Sequence, residues 1–235
     1  MSSADSTTRV STAHFSGPFP EELRAFADAD LTTPPPAHPV LFYGSSTIRL
    51  WDSLAADYPG VPVLNRGFGG STLWDCVYHF YSLVKPYAPA RVIFYAGDND
   101  LEQGTPPEEV RNRYAELLRR IRTHCGEIPV TFISIKPSPA RWGNVHAIRR
   151  ANALIAELVE AERAVHPETW YLDFASAMVL ADGAPDRSLY DPDQLHLNAR
   201  GYALWARLLL ASGRLDAADD RSGGPQVSKE SPAPG

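Results

Sequence analysis

The sequence predicts a three-layer α/β/α fold around a five-stranded parallel sheet. Five short apolar runs alternate with helical patterns along the 235 residues. Apolar runs without polar alternation are typical of strands that are buried on both faces of a parallel sheet. Gly, Ser, Asn or Asp follows several of these runs, and ligands bind at that carboxyl edge in such sheets. Together these features are typical of a flavodoxin-like domain.

The first half of the predicted fold begins with a short helix, Pro20–Ala29, and a proline-rich extended lead-in. Strand one, Val40–Tyr43, breaks at Gly-Ser-Ser, after which a helical pattern runs to about Tyr58 and stops at Pro-Gly. A second short strand, Val61–Leu64, breaks into a glycine-rich loop. The next helix ends near Val84, because apolar residues recur at helical spacing up to that point.

The second half repeats the alternation, starting with strand three at Arg91–Ala96. The helix that ends near His124 starts at Thr-Pro-Pro-Glu, residues 105–108, which matches a capping box with proline in the first turn. The remaining predicted elements are strand Pro129–Ile135, helix Asn144–Val165, strand Thr169–Phe174 and a last helix over about Asn198–Ala211.

Length and composition are typical of one soluble globular domain, which we predict over residues 19–213. The polar segments 1–18 and 214–235 are predicted to be disordered. A net charge of −6 without a basic cluster predicts no nucleic-acid partner. The absence of a secretory signal and of a long apolar run predicts a cytoplasmic protein without integral membrane association. The sequence leaves the oligomeric state open.

Cysteine and histidine spacing favours neither a disulfide nor a metal site. Cys76 and Cys125 fall on predicted amphipathic helices and are expected to be free thiols. No Cys-x-x-Cys or His-x-x-x-His pattern is present, so the spacing supports no metal site. Asp98 and Asp100 follow strand three, where capping of the turn is favoured over metal binding.

Four polar blocks are predicted to meet at the carboxyl edge of the sheet. They are Gly44-Ser45-Ser46-Thr47, Asn65-Arg66-Gly67-Phe68-Gly69-Gly70, Gly97-Asp98-Asn99-Asp100 and Asp193-Gln194-Leu195-His196. A serine at a strand-to-helix turn can act as a nucleophile, because backbone N–H groups beside it can stabilise an oxyanion. Helix capping is the simpler alternative for the two serines. The glycine-rich block lacks the spacing of a phosphate-binding loop.

Taken in this order, the four blocks resemble those of the SGNH hydrolases, also called GDSL-like esterases and lipases. The resemblance covers about Val40–Ala211. It implies that Ser46 is the nucleophile, that His196 is its general base and that Asp193 orients His196. Ser45 stands where the family usually has aspartate, a residue outside the family's catalytic triad.

The resemblance also implies an oxyanion hole made of the Ser46 and Gly70 backbone N–H groups and the Asn99 side-chain amide. Each residue type suits its role. A serine hydroxyl needs a base such as imidazole during attack on a carbonyl. Glycine allows close approach to its N–H group, and an asparagine amide donates a hydrogen bond without carrying charge.

The activity that the resemblance implies is hydrolysis of short-chain carboxylic esters, including acetyl esters, through an acyl-enzyme on Ser46. The expected partner is therefore a small-molecule ester, and such a reaction is expected to need no metal and no cofactor. A carbohydrate O-deacetylase and a lysophospholipase or thioesterase remain alternatives within the family. A non-catalytic binding module is the alternative from another class.

Three cations are candidate substrate contacts at the same edge. Lys136 and Arg141 follow strand four and, with Trp142, either shape the substrate pocket or cap the surface. Arg66, in the glycine-rich block, is a candidate for meeting an anionic substrate.

Other aromatic side chains are expected to be structural. Trp51 and Trp74 are predicted to pack in the core rather than line a pocket. Of the seven histidines, only His196 lies in a motif, and His79 is expected at the surface or at a helix end.

Overall fold

The computed structural model describes residues 17–215, in which helices cover both faces of one sheet. Residues 1–16 and 216–235, which hold nearly all of the two segments predicted to be disordered, lie outside the described residues. The five strands are parallel and follow the order β2-β1-β3-β4-β5. The predicted α/β class and parallel five-stranded sheet are confirmed.

The strands and helices have the following bounds. The strands are β1 (Val40–Gly44), β2 (Val63–Gly67), β3 (Arg91–Tyr95), β4 (Val130–Ile133) and β5 (Thr169–Leu172). The α-helices are α1 (Pro20–Thr32), α2 (Ser46–Arg49), α3 (Leu54–Asp57), α4 (Leu73–Tyr78), α5 (Phe80–Leu83), α6 (Asp98–Glu102), α7 (Pro107–Cys125), α8 (Val145–Arg163) and α9 (Ala199–Ala211). Short 3₁₀ turns cover Lys85–Tyr87, Pro139–Asn144, Ala175–Met178 and Arg187–Leu189.

Burial on both faces of the sheet explains the uninterrupted apolar runs. Every residue of β1 and of β3 is buried. Alternate residues of β1 belong to two separate cores, with Leu41 and Tyr43 in one and Val40 and Phe42 in the other. Helices α1, α4, α5, α7 and α8 contribute to the first core, and α2, α3 and α9 to the second. Neither face of these strands contacts water, so polar side chains are not favoured on either face.

The helix predicted from residue 47 to Tyr58 is wrong, because two four-residue helices, α2 and α3, occupy this stretch. Trp51 lies between them, 1% exposed, and is a core residue as predicted. Its indole N–H donates to Asp57 at 2.7 Å, and the Ser53 hydroxyl donates to the same carboxylate oxygen at 2.7 Å. Such local side-chain bonds compete with a continuous helix. The helix predicted to end near Val84 is likewise split into α4 and α5.

Two further local predictions are wrong. Strand β2 is shifted toward the carboxyl end of the chain, so the first three residues of the glycine-rich block belong to it. Its Asn65 side chain donates to the Ile48 carbonyl at 2.7 Å and accepts from the Gly67 N–H at 2.9 Å. At the start of α7 the N-cap residue is Pro106 and no side chain caps the helix, so the predicted capping box is absent there.

Gly44 forms the joint between β1 and the turn that follows it. Its φ is +142°, and a Cβ at this position would lie 1.8 Å from the Tyr95 carbonyl oxygen. That oxygen accepts the Ser45 N–H at 3.0 Å. Only glycine allows the neighbouring strand so close at this backbone conformation. The chain can therefore leave the sheet immediately before Ser46.

Cys76 and Cys125 are free thiols, as predicted. Cys76 is fully buried on α4, and burial raises the pKa of its thiol. Within residues 17–215, no helix is both long enough and apolar enough to cross a membrane.

Trp74 differs from prediction, whereas His79 lies at a helix end as predicted but is buried. Trp74 on α4 is 55% exposed rather than in the core. His79 is buried at 3% exposure, at the break between α4 and α5. The His79 ring packs edge-on against Phe68 and Tyr78, with centroids 5.7 and 4.8 Å away. Burial lowers the pKa of His79 below its ordinary value of 6.5, although a hydrogen bond with the Pro18 backbone opposes the shift.

The buried His79 is expected to make the free energy of unfolding depend on pH. Because its pKa is lowered in the folded state, the unfolded chain binds a proton at a higher pH than the folded chain does. Stability should therefore fall as the pH drops below the ordinary value of 6.5. Urea unfolding at about pH 7.5 and about pH 5.5 measures this loss.

His79→Gln is expected to lose part of this pH dependence. The exposed His146 on α8 provides the matched control, since His146→Gln should keep the dependence of the unsubstituted protein. An equal pH dependence in the unsubstituted protein and in His79→Gln would contradict the prediction.

Candidate active site

The structure brings together the three residues predicted to act as nucleophile, base and orienting carboxylate. Ser46 is the first residue of α2, directly after β1 and its turn. Its Oγ lies 3.2 Å from His196 Nε2, and His196 Nδ1 lies 2.6 Å from Asp193 Oδ2. Both contacts are within hydrogen-bond reach, as proton transfer from a serine through a histidine requires.

The adjacent Ser45 has a different environment. It occupies the N-cap position of α2, but its side chain makes no capping hydrogen bond. Its hydroxyl is fully buried and has no partner within the described residues. Helix capping therefore does not explain the side chains of the serine pair, and Ser46 is the serine that faces the histidine.

The loop that carries His196 is held by its own backbone. Asp193 Oδ1 accepts the N–H groups of Leu195 and His196 at 2.9 and 3.0 Å. Gln194, between them, adopts the left-handed region with φ 56°. Immediately beyond the loop, Asn198 caps α9 by accepting the N–H groups of its first turn. These contacts fix the imidazole relative to the carboxylate.

Asp193 is ionised at neutral pH. Burial acts to raise the pKa of its carboxyl group, but hydrogen bonds from the Leu195 and His196 N–H groups and from the His196 ring outweigh it and lower the pKa to about 2. An ionised carboxylate only accepts hydrogen bonds, so the neutral imidazole carries its proton on Nδ1. The Nε2 lone pair then faces the Ser46 hydroxyl.

Three N–H groups on the loops that follow β1, β2 and β3 are available to a ligand. Within residues 17–215, the Ser46 and Gly70 backbone N–H groups donate to no protein acceptor. Gly70 has φ +68°, and no heavy atom lies within 4 Å of the position that a Cβ would take. Asn99 Nδ2 donates one hydrogen to the Ser71 carbonyl at 2.9 Å and keeps the second. These are the three groups that the resemblance assigns to an oxyanion hole.

Hydrogen bonds join the loops that follow β1, β2 and β3. The Gly44 carbonyl, at the end of β1, accepts the Phe68 N–H at 3.0 Å and lies 3.4 Å from the Ser71 hydroxyl. The Ser71 carbonyl in turn accepts from Asn99, which follows β3. Because β1 lies between β2 and β3, the site is at the point where the strand order reverses.

Lys136 is nearly inaccessible to a substrate. It is 1% exposed, and its Nζ lies 3.0 Å from Asp98 Oδ2 and 3.2 Å from the Tyr95 hydroxyl. Arg141 is also paired inward, because one terminal nitrogen donates to Asn99 Oδ1 at 2.9 Å and the other lies 3.1 Å from Asp98. We therefore do not retain Lys136 as a substrate contact.

Asp98 and Asp100 are buried ion-pair partners rather than mainly turn caps. Burial acts to raise the pKa of Asp98, but Lys136 and Arg141 outweigh it, so the pKa lies below its ordinary value. Asp100 pairs with Arg113 at 2.8 Å, and burial raises its pKa. Within the part of the chain that the structure describes, no three His, Cys, Asp or Glu side chains are grouped as metal ligands would be.

Arg66 is 5% exposed and lies in β2. Its guanidinium pairs with Asp30 on α1 and lies over the Phe26 and Tyr87 rings, with centroids 4.9 and 4.5 Å away. The cation is thus used to join α1 to the sheet. We do not include Arg66 among the proposed substrate contacts.

The sequence did not indicate that Ser71 and Arg141 hold Asn99. Ser71 contributes its carbonyl oxygen, and a backbone atom leaves no signal in residue type. Arg141 was singled out only for its charge and position after strand four. Its partner Asn99 is 42 residues away in the chain, and this pairing requires the folded structure.

Known proteins resemble this chain in sequence and in fold. The GDSL-like Lipase/Acylhydrolase family matches residues 37–204, which include the four polar blocks. Platelet-activating factor acetylhydrolase IB subunit alpha1 of Pongo abelii is 28% identical over 207 residues, which are 83% of each chain.

Two solved structures share the fold. A GDSL-like lipase from Bacteroides thetaiotaomicron superposes with a TM-score of 0.66 at 20% identity, over 81% of this chain and 96% of that one. The family 3 carbohydrate esterase of Clostridium thermocellum has a TM-score of 0.61 at 16% identity, over 78% of this chain and 100% of that one.

Proposed function

The chain belongs to the GDSL-like lipase/acylhydrolase family, a family of ester hydrolases, and we propose that it is a serine esterase for short-chain carboxylic esters, acetyl esters above all. The observation that carries this proposal is the hydrogen-bonded path from Asp193 through His196 to Ser46. The path supplies a nucleophile and its base. The N–H groups of Ser46, Gly70 and Asn99 supply the donors for an oxyanion.

In the first half of the reaction, Ser46 Oγ attacks the ester carbonyl while His196 Nε2 takes its proton. The carbonyl oxygen becomes an oxyanion and receives hydrogen bonds from the Ser46 N–H, the Gly70 N–H and the free hydrogen on Asn99 Nδ2. Asp193 stabilises the imidazolium that forms. Each donor matters because charge develops on that oxygen only in the transition state.

Collapse of the tetrahedral intermediate breaks the bond to the leaving alcohol, which takes its proton from His196. The acyl group remains on Ser46. In the second half, His196 removes a proton from water and the hydroxide adds to the acyl carbonyl. The bond from Ser46 Oγ to the acyl carbon then breaks, His196 returns the proton to Oγ and the acid leaves. Apart from the ester and water, these steps use groups of the chain alone.

The preference for a small acyl group is supported by the relative in Pongo abelii, whose name describes an acetylhydrolase. We expect kcat/KM for p-nitrophenyl esters to be highest for the acetate and to fall by about tenfold or more toward the decanoate, because each extra methylene must find space in the site. Initial rates over the acyl series measure this. A rise in kcat/KM with chain length would contradict the short-chain proposal and favour the lysophospholipase alternative.

Carbohydrate O-deacetylation is the second candidate, and the exposed Trp74 favours it. Trp74 lies in the first turn of α4, four residues after Gly70, and such a ring can stack on a sugar. The family 3 carbohydrate esterase is one of the structures with this fold. Acetate release from acetylated xylo-oligosaccharides, compared with p-nitrophenyl acetate, separates the two candidates.

A further inference from the structure

An asparagine serves an oxyanion hole only when its amide nitrogen, and not its oxygen, faces the substrate. The two ends of the amide are similar in size, so packing alone distinguishes them poorly. In the flipped orientation a carbonyl oxygen would face the developing oxyanion and repel it. The orientation of the Asn99 amide must therefore be fixed by hydrogen-bonding partners that are incompatible with the flipped amide.

Two partners of Asn99 meet this requirement. The Ser71 carbonyl oxygen can only accept, and it receives one hydrogen of Nδ2 at 2.9 Å. The Arg141 guanidinium can only donate, and it gives an N–H to Oδ1 at 2.9 Å. A flip would put acceptor against acceptor at Ser71 and donor against donor at Arg141. The second hydrogen of Nδ2 is thereby kept for the oxyanion.

Buried charge holds the Arg141 guanidinium in place. One terminal nitrogen lies 3.1 Å from Asp98 Oδ2, and the Arg141 side chain is only 14% exposed. Lys136 pairs with the same carboxylate oxygen at 3.0 Å. Glu102 Oε2 lies 3.8 Å from Arg141 Nε, so two carboxylates, Asp98 and Glu102, face the Arg141 guanidinium. The contact with Asp98 is an ion pair without hydrogen-bond geometry, so the hydrogen bond to Asn99 Oδ1 is the directional contact of the planar guanidinium.

The turn that carries Arg141 also contacts the histidine loop. Within the 3₁₀ turn Pro139–Asn144, the Ala140 N–H donates to the Gln194 carbonyl at 3.0 Å. Gln194 lies between Asp193 and His196. One short segment therefore spans the oxyanion side and the base side of the site, and its position fixes Arg141 relative to both.

We propose that Arg141 is a positioning residue that holds the Asn99 amide with its free N–H directed at the oxyanion. This inference rests on the proposed esterase function. It replaces the sequence-based interpretation of Arg141 as a substrate contact. Arg141 acts through Asn99, so its contribution exists only while Asn99 is present.

A double-mutant cycle on p-nitrophenyl acetate tests this dependence. Loss of one oxyanion donor typically costs about 10²–10³-fold in rate, and we expect this from Asn99→Ala. Arg141→Met, which removes the donors at similar length, should lower kcat by about 10- to 100-fold with KM little changed. In the Asn99→Ala background, Arg141→Met should cost less than about twofold more.

Arg141→Lys is the second variant, since it keeps a positive charge beside Asp98 but lacks the planar fork. It is expected to fold and to show a smaller loss of kcat that also disappears in the Asn99→Ala background. Arg150→Met is the matched control, because Arg150 is an exposed arginine on α8 that pairs with Glu108. Its kcat should equal that of the unsubstituted enzyme.

Several outcomes would overturn the role of Arg141. These are unchanged kcat in both Arg141 variants, a rise in KM alone, or the same fold-loss with and without Asn99. The last two would mean that Arg141 contacts substrate directly. If the unsubstituted protein itself fails to hydrolyse any p-nitrophenyl ester, the esterase proposal fails, and that result is separate from any difference among the variants.

Discussion

Ser46→Ala is expected to abolish ester hydrolysis, with kcat lower by roughly 10⁴-fold or more and the fold unchanged. Within the described residues, the Ser46 hydroxyl has one side-chain partner, His196 Nε2 at 3.2 Å. Ser46→Ala removes the Ser46 oxygen, which is the atom that attacks the carbonyl. Ser46 is partly exposed, so no buried polar group loses its only partner. Steady-state kinetics on p-nitrophenyl acetate and thermal unfolding measure the two effects.

Ser45→Ala is the matched control, because the neighbouring hydroxyl is buried without a partner within residues 17–215. Its removal should leave activity close to that of the unsubstituted enzyme. An organophosphonate label located by peptide mass spectrometry should be found on Ser46. Full activity in Ser46→Ala together with loss in Ser45→Ala would mean that the nucleophile is wrongly assigned.

The sheet was predictable because its strands are buried on both faces, which leaves uninterrupted apolar runs in the sequence. The helices that follow the first two strands were not predictable to their ends. Trp51 and His79 turn into the core at points where a regular helix would have continued. Helical periodicity reports which residues face a core, but not where tertiary contacts interrupt the helix.

The candidate site, like the fold, was predictable only in part. The resemblance of the polar blocks to the SGNH hydrolases indicated Ser46, Asp193 and His196, because each block is a short segment that can be recognised on its own. Ser46 follows β1 and its turn, and Asp193 and His196 share one loop before α9. The environments of the cations were not predictable. Lys136 follows a strand end, where a lysine is usually solvated, and its buried partner Asp98 is 38 residues earlier. Pairing at that distance depends on which strands are neighbours.

His196→Ala is expected to lower kcat/KM about as much as Ser46→Ala, by roughly 10⁴-fold or more, because nucleophile and base act as a unit. For the same reason the double variant Ser46→Ala/His196→Ala should be no slower than either single variant. Kinetics on p-nitrophenyl acetate measure all three. Losses that multiply in the double variant would show that His196 does not serve Ser46.

The fold-loss of kcat/KM in Asp193→Asn should be about 10² times smaller than in His196→Ala, because Asp193 only orients and stabilises the ring. Its side chain is 48% exposed, so water can replace part of what the carboxylate does. The Asp193 carboxylate, with a pKa of about 2, keeps its negative charge at neutral pH, so the substitution removes a charge that is present during turnover. Steady-state kinetics on p-nitrophenyl acetate measure the loss. A loss equal to that of His196→Ala would contradict this division of roles, because a substitution that removes only the orienting carboxylate leaves the base in place.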